Sequence, residues 1–401
     1  MAIIHPFRAV RPAPETAVVV SSVPYDVVTT DEARQLAAGN PLSFLRVTRS
    51  EIDLPDGTDP YSPQVYAKAR ENFETLTKQA PFLSEPAPSL YLYRLRMGDH
   101  EQTGVAGCFS IDEYDSDAIK KHERTRRDKE DDRTRHIVAL RAQTGVVFLT
   151  HPRAADVDAV AARVCAGGPL YDFTAADGIR HTIWRAAPAE TQALVAAFAR
   201  IPALYIADGH HRAASAARAR AELRSPDAGT FIAVAFPDNQ VQILPYHRVV
   251  KDLAGQTPAQ LLEAIRRAFP VAEGPAAPRR KGEVSMYLDG RWYAIDLTKA
   301  APADDSRASG LDVALLQHHV LERLLTIGDI RTDKRIDFVG GARGTPALEQ
   351  AVNAGKAAVA FSMFPVTVGD LMAISDAGGI MPPKSTWFEP KLRDGLLVHV
   401  M

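Results

Sequence analysis

A chain of 401 residues, 46% of them hydrophobic, has more apolar surface than one ordinary core needs, so two or three domains are expected. Its 47 basic and 49 acidic residues leave a net charge of -2, which argues against a protein that holds nucleic acid by overall charge but leaves room for a local anion pocket. The two cysteines, Cys108 and Cys165, exclude a disulfide framework or a zinc ribbon and fit a reducing compartment.

The N-terminal residues 1–12 hold no apolar signal core, and no apolar run approaches spanning length, so a cytoplasmic protein without a membrane partner is expected. The Val-rich run 17–22 reads as a buried strand that stops at Pro24. Residues 31–38 read as a helix capped by Thr29 or Thr30, and 54–63, with three prolines, as a loop. Residues 64–79 put Val65, Ala69, Phe73 and Leu76 on one helical face. Residues 89–96 and 103–110 predict a hairpin, 111–141 a charged and mostly helical stretch, and 145–150 a buried strand.

Ala-rich helices are predicted over 155–165 and 189–199, with a strand at 180–186 between them. The apolar strand 203–207 leads through Asp208-Gly209 into a helix over 213–223. A second hairpin is expected from 231–236 and 241–244. Residues 274–282 and 300–310 have linker composition, 283–297 turns at Asp289-Gly290, and 311–325 is amphipathic. Interspersed strands and helices with several hairpins predict an α+β fold of mixed sheets and flanking helices. The expected domains are 1–110, 111–250 and 251–401.

The run Asp208-Gly209-His210-His211-Arg212 carries the most chemistry. A buried strand ends at Asp208, Gly209 permits a turn with positive φ, and a helix follows. The unpaired N–H groups and positive dipole at a helix start attract an anion. His210, His211 and Arg212 add donors, and Arg212 can grip two phosphate oxygens. Asp208 would repel a bare anion but suits a Mg²⁺ that bridges phosphates. Zinc has less support, because consecutive histidines point different ways and no cysteine accompanies them. The bland alternative is an ordinary turn with a capping Asp and two packed histidines.

The same run resembles the signature of the ParB/sulfiredoxin-like superfamily, most closely its free-serine kinases. There the run follows a strand, opens a helix and binds nucleotide phosphates. Sulfiredoxins place a cysteine at the point where this chain has His210. The whole chain also resembles the domain-of-unknown-function family numbered 1015, through Pro24-Tyr25-Asp26-Val27, His122-Glu123-Arg124-Thr125, Tyr205 to Arg212, Leu244-Pro245-Tyr246-His247-Arg248 and Met381 to Lys391.

The resemblance implies a ParB/sulfiredoxin-like nucleotide-binding core within 111–250, with an insertion around 155–199. His122-Glu123 matches the kinases' His-Glu pair, whose glutamate deprotonates serine. Outside the resemblance, Glu123 could equally belong to the solvated charge run 120–135. His122, Glu123 and Asp208 are thus the expected catalytic residues, with Asp208 also the metal ligand. Gly209, His210, His211 and Arg212 are the expected phosphate ligands.

The Pro-stiffened tail 381–391 reads either as a packed anchor built on Trp387 and Phe388 or as a loop folded back over the site. In the second reading Lys384, Ser385, Thr386 and Lys391 join the nucleotide contacts, and Trp387 covers a base. Asp26, after Pro24-Tyr25 at a strand end, could bind Mg²⁺ or the substrate, or, as the usual turn preference favours, simply cap a turn, and Arg248 is a second anion ligand for the substrate. Together these predict a small-molecule kinase that uses ATP or ADP with Mg²⁺ and phosphorylates free L-serine or a similar metabolite. The alternatives are a ParB-like nucleotide-binding regulator or a phosphatase at the same site. No nucleic-acid partner is expected, and a homo-oligomer is possible.

Overall fold

The computed structural model describes residues 2–401. They form two units: residues 2–241 with Pro390–Met401, and Gln242–Glu389. Both combine mixed or antiparallel sheet with helices.

The first unit is built on a nine-stranded mixed sheet. In chain order its strands are β1 (Ile4–His5), β2 (Tyr91–Met97), β3 (His100–Ser110), β4 (Ile119–Lys120), β5 (Val147–His151), β6 (Tyr171–Thr174), β7 (Arg180–Arg185), β8 (Leu204–Asp208) and β9 (Thr230–Pro237). Their order across the sheet is β4-β8-β5-β9-β3-β2-β7-β6, with β1 also on β3. The central strand β5 is buried at every residue, as its apolar run requires, and β9 at all but its first. β8 runs parallel to β4 and antiparallel to β5, while β5 and β9 are parallel.

Helices flank this sheet: α1 (Thr30–Leu36), α2 (Pro63–Gln79), α3 (Arg127–Leu140), α4 (Ala155–Cys165), α5 (Pro188–Phe198) and α6 (His210–Leu223). Thr29 and Glu32 form a reciprocal capping box that starts α1, and Pro63 opens α2, where its missing N–H costs nothing. α6 lies against α3, and Ala213, Ala216 and Ala219 bring its buried face onto the core formed by Ile137, Leu149, Ile206 and Phe231.

The second unit holds a six-stranded antiparallel sheet. Its strands are β10 (Tyr246–Val250), β11 (Val271–Glu273), β12 (Glu283–Leu288), β13 (Arg291–Asp296), β14 (Ile336–Gly340) and β15 (Val359–Ser362), in the order β11-β13-β12-β15-β10-β14. The expected hairpin at Asp289-Gly290 joins β12 to β13. The helix expected over 311–325 runs as α-helix over Asp312–Leu316 and then as π-helix over Gln317–Glu322.

Three expectations give way. Residues 17–22 are not a strand: a 3₁₀ turn opening at Pro14 feeds a short helix, Ala17–Val20, and only Ser22 finds a bridge partner, Asp394. Without a neighbouring strand along its length, a Val-rich run has nothing to pair with, and Val18 and Val19 stay exposed. Residues 241–244 do not pair with β9, whose two edges are already taken by β3 and β5; Ile243–Leu244 pairs instead with Trp387–Phe388. The boundary expected at 110/111 cuts through one sheet, because β3 pairs with β2 from before it and β9 from after it. The C-terminal segment rejoins the first unit, where His399–Val400 pairs with Ala142–Gln143. No helix among the described residues is long and apolar enough to cross a membrane.

Candidate active site

The site grows from the parallel pairing of β4 with β8. Leu204 faces Ile119 and Tyr205 faces Lys120, so the residues that follow β4, His122-Glu123, run beside the end of β8 and reach the start of α6. The pairing of β8 with β5 slips between Ile206 and Asp208, an irregularity at Ala207 after which Asp208 still pairs with Phe148 at the strand end. Gly209 then takes φ +95°, a region that side chains avoid, and α6 begins at His210. A Cβ on Gly209 would also lie 3.2 Å from the Arg212 guanidinium.

Around this turn the structure gathers Asp26, His122, Glu123, Asp208 to Arg212 and Lys391. Lys391 Nζ lies 3.3 Å from Asp208 Oδ2, joining the C-terminal segment to the end of β8. Burial opposes the charge on Asp208, but Lys391 and Arg212 outweigh it and hold the carboxyl well below its ordinary range. Glu123 Oε2 lies 4.0 Å from His210 Nδ1, and its side chain is 54% exposed, so the rim reaches solvent there. His211 Nε2 accepts the Arg126 N–H at 3.0 Å and pins the loop that leads into α3.

Arg212 is turned inward. Its Nη1 donates to the Val146 carbonyl at 2.6 Å, and its Nη2 donates to both oxygens of Asp26, at 2.9 and 3.1 Å. Asp208 lies 3.7 Å away. Burial works against the guanidinium charge, yet Asp26 and Asp208 hold it above its ordinary strength. The expected grip of Arg212 on phosphate oxygens is therefore corrected: its nitrogens serve Asp26 and the backbone. Asp26 is corrected too, since it lies in a 3₁₀ turn, Tyr25–Val27, rather than at a strand end, and its carboxylate is committed to Arg212.

His122 is 2% exposed, and its ring stands edge-on to that of His210 with centroids 4.4 Å apart. Burial pushes His122 down to about 4, and burial with the neighbouring His122 pushes His210 well below its ordinary value. Both rings are neutral near pH 7. Neither His122 ring nitrogen completes a hydrogen bond. Each unpaired buried polar group costs about 1–3 kcal/mol. A proton-exchanging role for His122 finds no support in so enclosed a ring.

Mg²⁺ does not fit Asp208 as the side chains stand. That carboxylate already holds Lys391 and lies within ion-pair distance of Arg212, so an added cation would meet two resident ones. Sequence reasoning missed Asp394. It is 1% exposed, has one oxygen without a hydrogen bond, and is raised to about 7 by burial. It lines a cavity of about 30 Å³ with Tyr25, Thr144, Gly145 and Arg212, room for about one water. Its only sequence signal was an Asp-Gly pair, which reads as an ordinary turn.

Lys384, Ser385, Thr386 and Arg248 belong to the second unit. Arg248 is fully buried, donates to the Tyr246 and Lys384 carbonyls, and is lowered to about 10 by burial. Lys384 Nζ lies 5.4 Å from the Tyr246 ring, and Ser385 donates to the Pro382 carbonyl. The Trp387 ring packs on Gly340 so closely that a Cβ there would lie 2.7 Å from it. In this unit the tail is a packed anchor.

No curated protein matches the chain. Among solved structures it is similar to a free serine kinase in complex with AMP, with TM-score 0.34 and 13% identity over 73% of this chain and 91% of that one. It is similar also to C-terminally truncated SbnI from Staphylococcus aureus, with TM-score 0.39 and 13% identity over 74% and 87%. A conserved hypothetical protein from Pyrococcus furiosus gives TM-score 0.36 and 14% identity over 74% and 95%. At that distance no residue role passes from those proteins to this chain. The sequence match is firmer: residues 4–314 fit the family described as Protein of unknown function (DUF1015), and the chain belongs to that family.

Proposed function

We propose that the chain is a small-molecule phosphotransferase with a ParB/sulfiredoxin-like nucleotide-binding core. In this reading it moves a phosphoryl group from ATP or ADP to the hydroxyl of free serine or a similar small metabolite at the start of α6. The observation that carries the reading is the meeting there of Lys391, Asp208 and Glu123, charged side chains from three distant parts of the chain.

The first N–H groups of α6 and its positive end attract phosphate oxygens. Lys391 adds charge, because its pairing with the partly exposed Asp208 can be exchanged for a phosphate of higher charge. The exposed Glu123 carboxylate orients the acceptor hydroxyl and takes its proton as the new O–P bond forms and the bond to the leaving nucleotide breaks. Arg212 and Asp26 hold the turn in shape.

ATP and ADP should be incubated with a panel of free amino acids and sugars and nucleotide conversion read out. One hydroxyl-bearing acceptor is expected to drive conversion. Glu123→Gln should bind nucleotide as before and lose turnover by about 10²–10⁴-fold. Turnover by Glu123→Gln at the unaltered rate, or no nucleotide binding by calorimetry, removes the reading.

A further inference from the structure

We infer that His122, His210 and Glu123 form a binding site for a first-row divalent transition ion of the Zn²⁺ class. Each offers one donor atom, and these atoms lie within 4.8 Å of one another. Metal–ligand bonds of about 2.0–2.1 Å would put tetrahedral donor atoms roughly 3.3 Å apart. The cluster must therefore close by an ångström or so, and Glu123, whose side chain is 54% exposed, lies on its solvent-facing side.

The second, independent observation is His122 itself. A 2% exposed imidazole with neither nitrogen hydrogen-bonded has no partner in the fold for its lone pair. The backbone N–H of His122 approaches His210 Nε2 at 3.4 Å, the outer edge of a hydrogen bond, which ligation through that nitrogen would displace. Two imidazoles and one carboxylate select Zn²⁺, Fe²⁺ or Mn²⁺ over Mg²⁺, and three protein ligands leave a position open.

The second histidine comes not from the adjacent His211, which faces Arg126, but from across the β4–β8 pairing. The site does not rest on the phosphotransfer reading. A carboxylate ligated through one oxygen keeps the other for a proton, and the test needs no nucleotide.

Full-length protein, freed of metal by a chelator, should be titrated with Zn²⁺ by calorimetry and with Co²⁺ by visible absorption. One equivalent is expected, with the intense Co²⁺ bands of a four- or five-coordinate site. Losing even an outer-shell partner weakens metal sites 10–100-fold, so His122→Ala and His210→Ala should each weaken binding by about a hundredfold or more. Glu123→Gln should also weaken it; as an exposed substitution with the fold checked by circular dichroism, it keeps the test sound if a buried histidine variant unfolds. His318→Ala, in the second unit, should change nothing. The absence of stoichiometric binding, a Co²⁺ spectrum like that of the hydrated ion, or full affinity in folded Glu123→Gln and His210→Ala would overturn the assignment.

Discussion

Arg212 is a buried cation in the first unit with its carboxylate partner, Asp26, 186 residues away. Its Asp26 and Val146 contacts make it a brace between the turn before α1, the residue leading into β5, and α6. A brace and a phosphate grip predict different losses. Arg212→Ala would leave the partly exposed Asp26 without its counter-ion beside an enclosed Asp394, and losing hydrogen bonds to a charged group typically costs about 1.5–3 kcal/mol. A fall of that size in unfolding free energy, measured in urea, is expected. Unchanged stability with lost nucleotide affinity would return Arg212 to the phosphate. The residue types at this site were legible in the sequence: an Asp-Gly turn flanked by histidines and arginine signals concentrated chemistry. Their orientations were not, because whether a guanidinium faces solvent or core depends on where its counter-ion sits, and Asp26 is remote in sequence.

The turn between β8 and α6 is the element on which the site depends. Gly209 meets two demands at once, a φ of +95° and the Arg212 guanidinium 3.2 Å from any added Cβ. Gly209→Ala should destabilise by about 1–2 kcal/mol from backbone strain alone and shift the start of α6. It should therefore weaken any ligand held at that helix start, read as a lowered urea midpoint with a raised Kd. A midpoint equal to that of the unaltered chain would mean that the turn relaxes freely. The strand, glycine and helix could all be read in advance from an apolar run, a residue that tolerates positive φ, and an Ala-rich stretch. The two-residue strand β4 could not, since Ile119–Lys120 becomes a strand only by lying beside β8. That pairing is what delivers His122 and Glu123.

At the scale of the molecule, burial of neutral histidines makes stability pH-dependent. In the first unit burial holds His122 and His136 at about 4 and His181 at about 3. In the unfolded chain they take up protons near pH 6.5. Between about pH 6.5 and pH 4 the unfolded state therefore binds more protons, and their contribution, fully present above that window, is lost as pH falls through it. Asp394 has the opposite sign: raised to about 7, it binds a proton in the folded chain first, so its contribution falls as pH rises toward 7. Three histidines outweigh one carboxyl, and a lower urea midpoint at pH 5 than at pH 7.5 is expected. An equal or higher midpoint at pH 5 would show that these rings are not buried neutral.

From sequence alone came the mixed α/β class, the family, the hairpins at 89–110 and 283–297, and the charged residues at the start of α6. Each follows from local patterns, such as hydrophobic period, turn chemistry and a contiguous motif, which act between near neighbours. Tertiary structure decided that residues 1–110 and 111–241 share one sheet, that residues 390–401 return to that unit, that Arg212 faces inward, and that His122 meets His210. These depend on strand pairing and on the partners of buried charges across dozens to hundreds of residues, interactions whose free energy exists only once the chain has closed on itself.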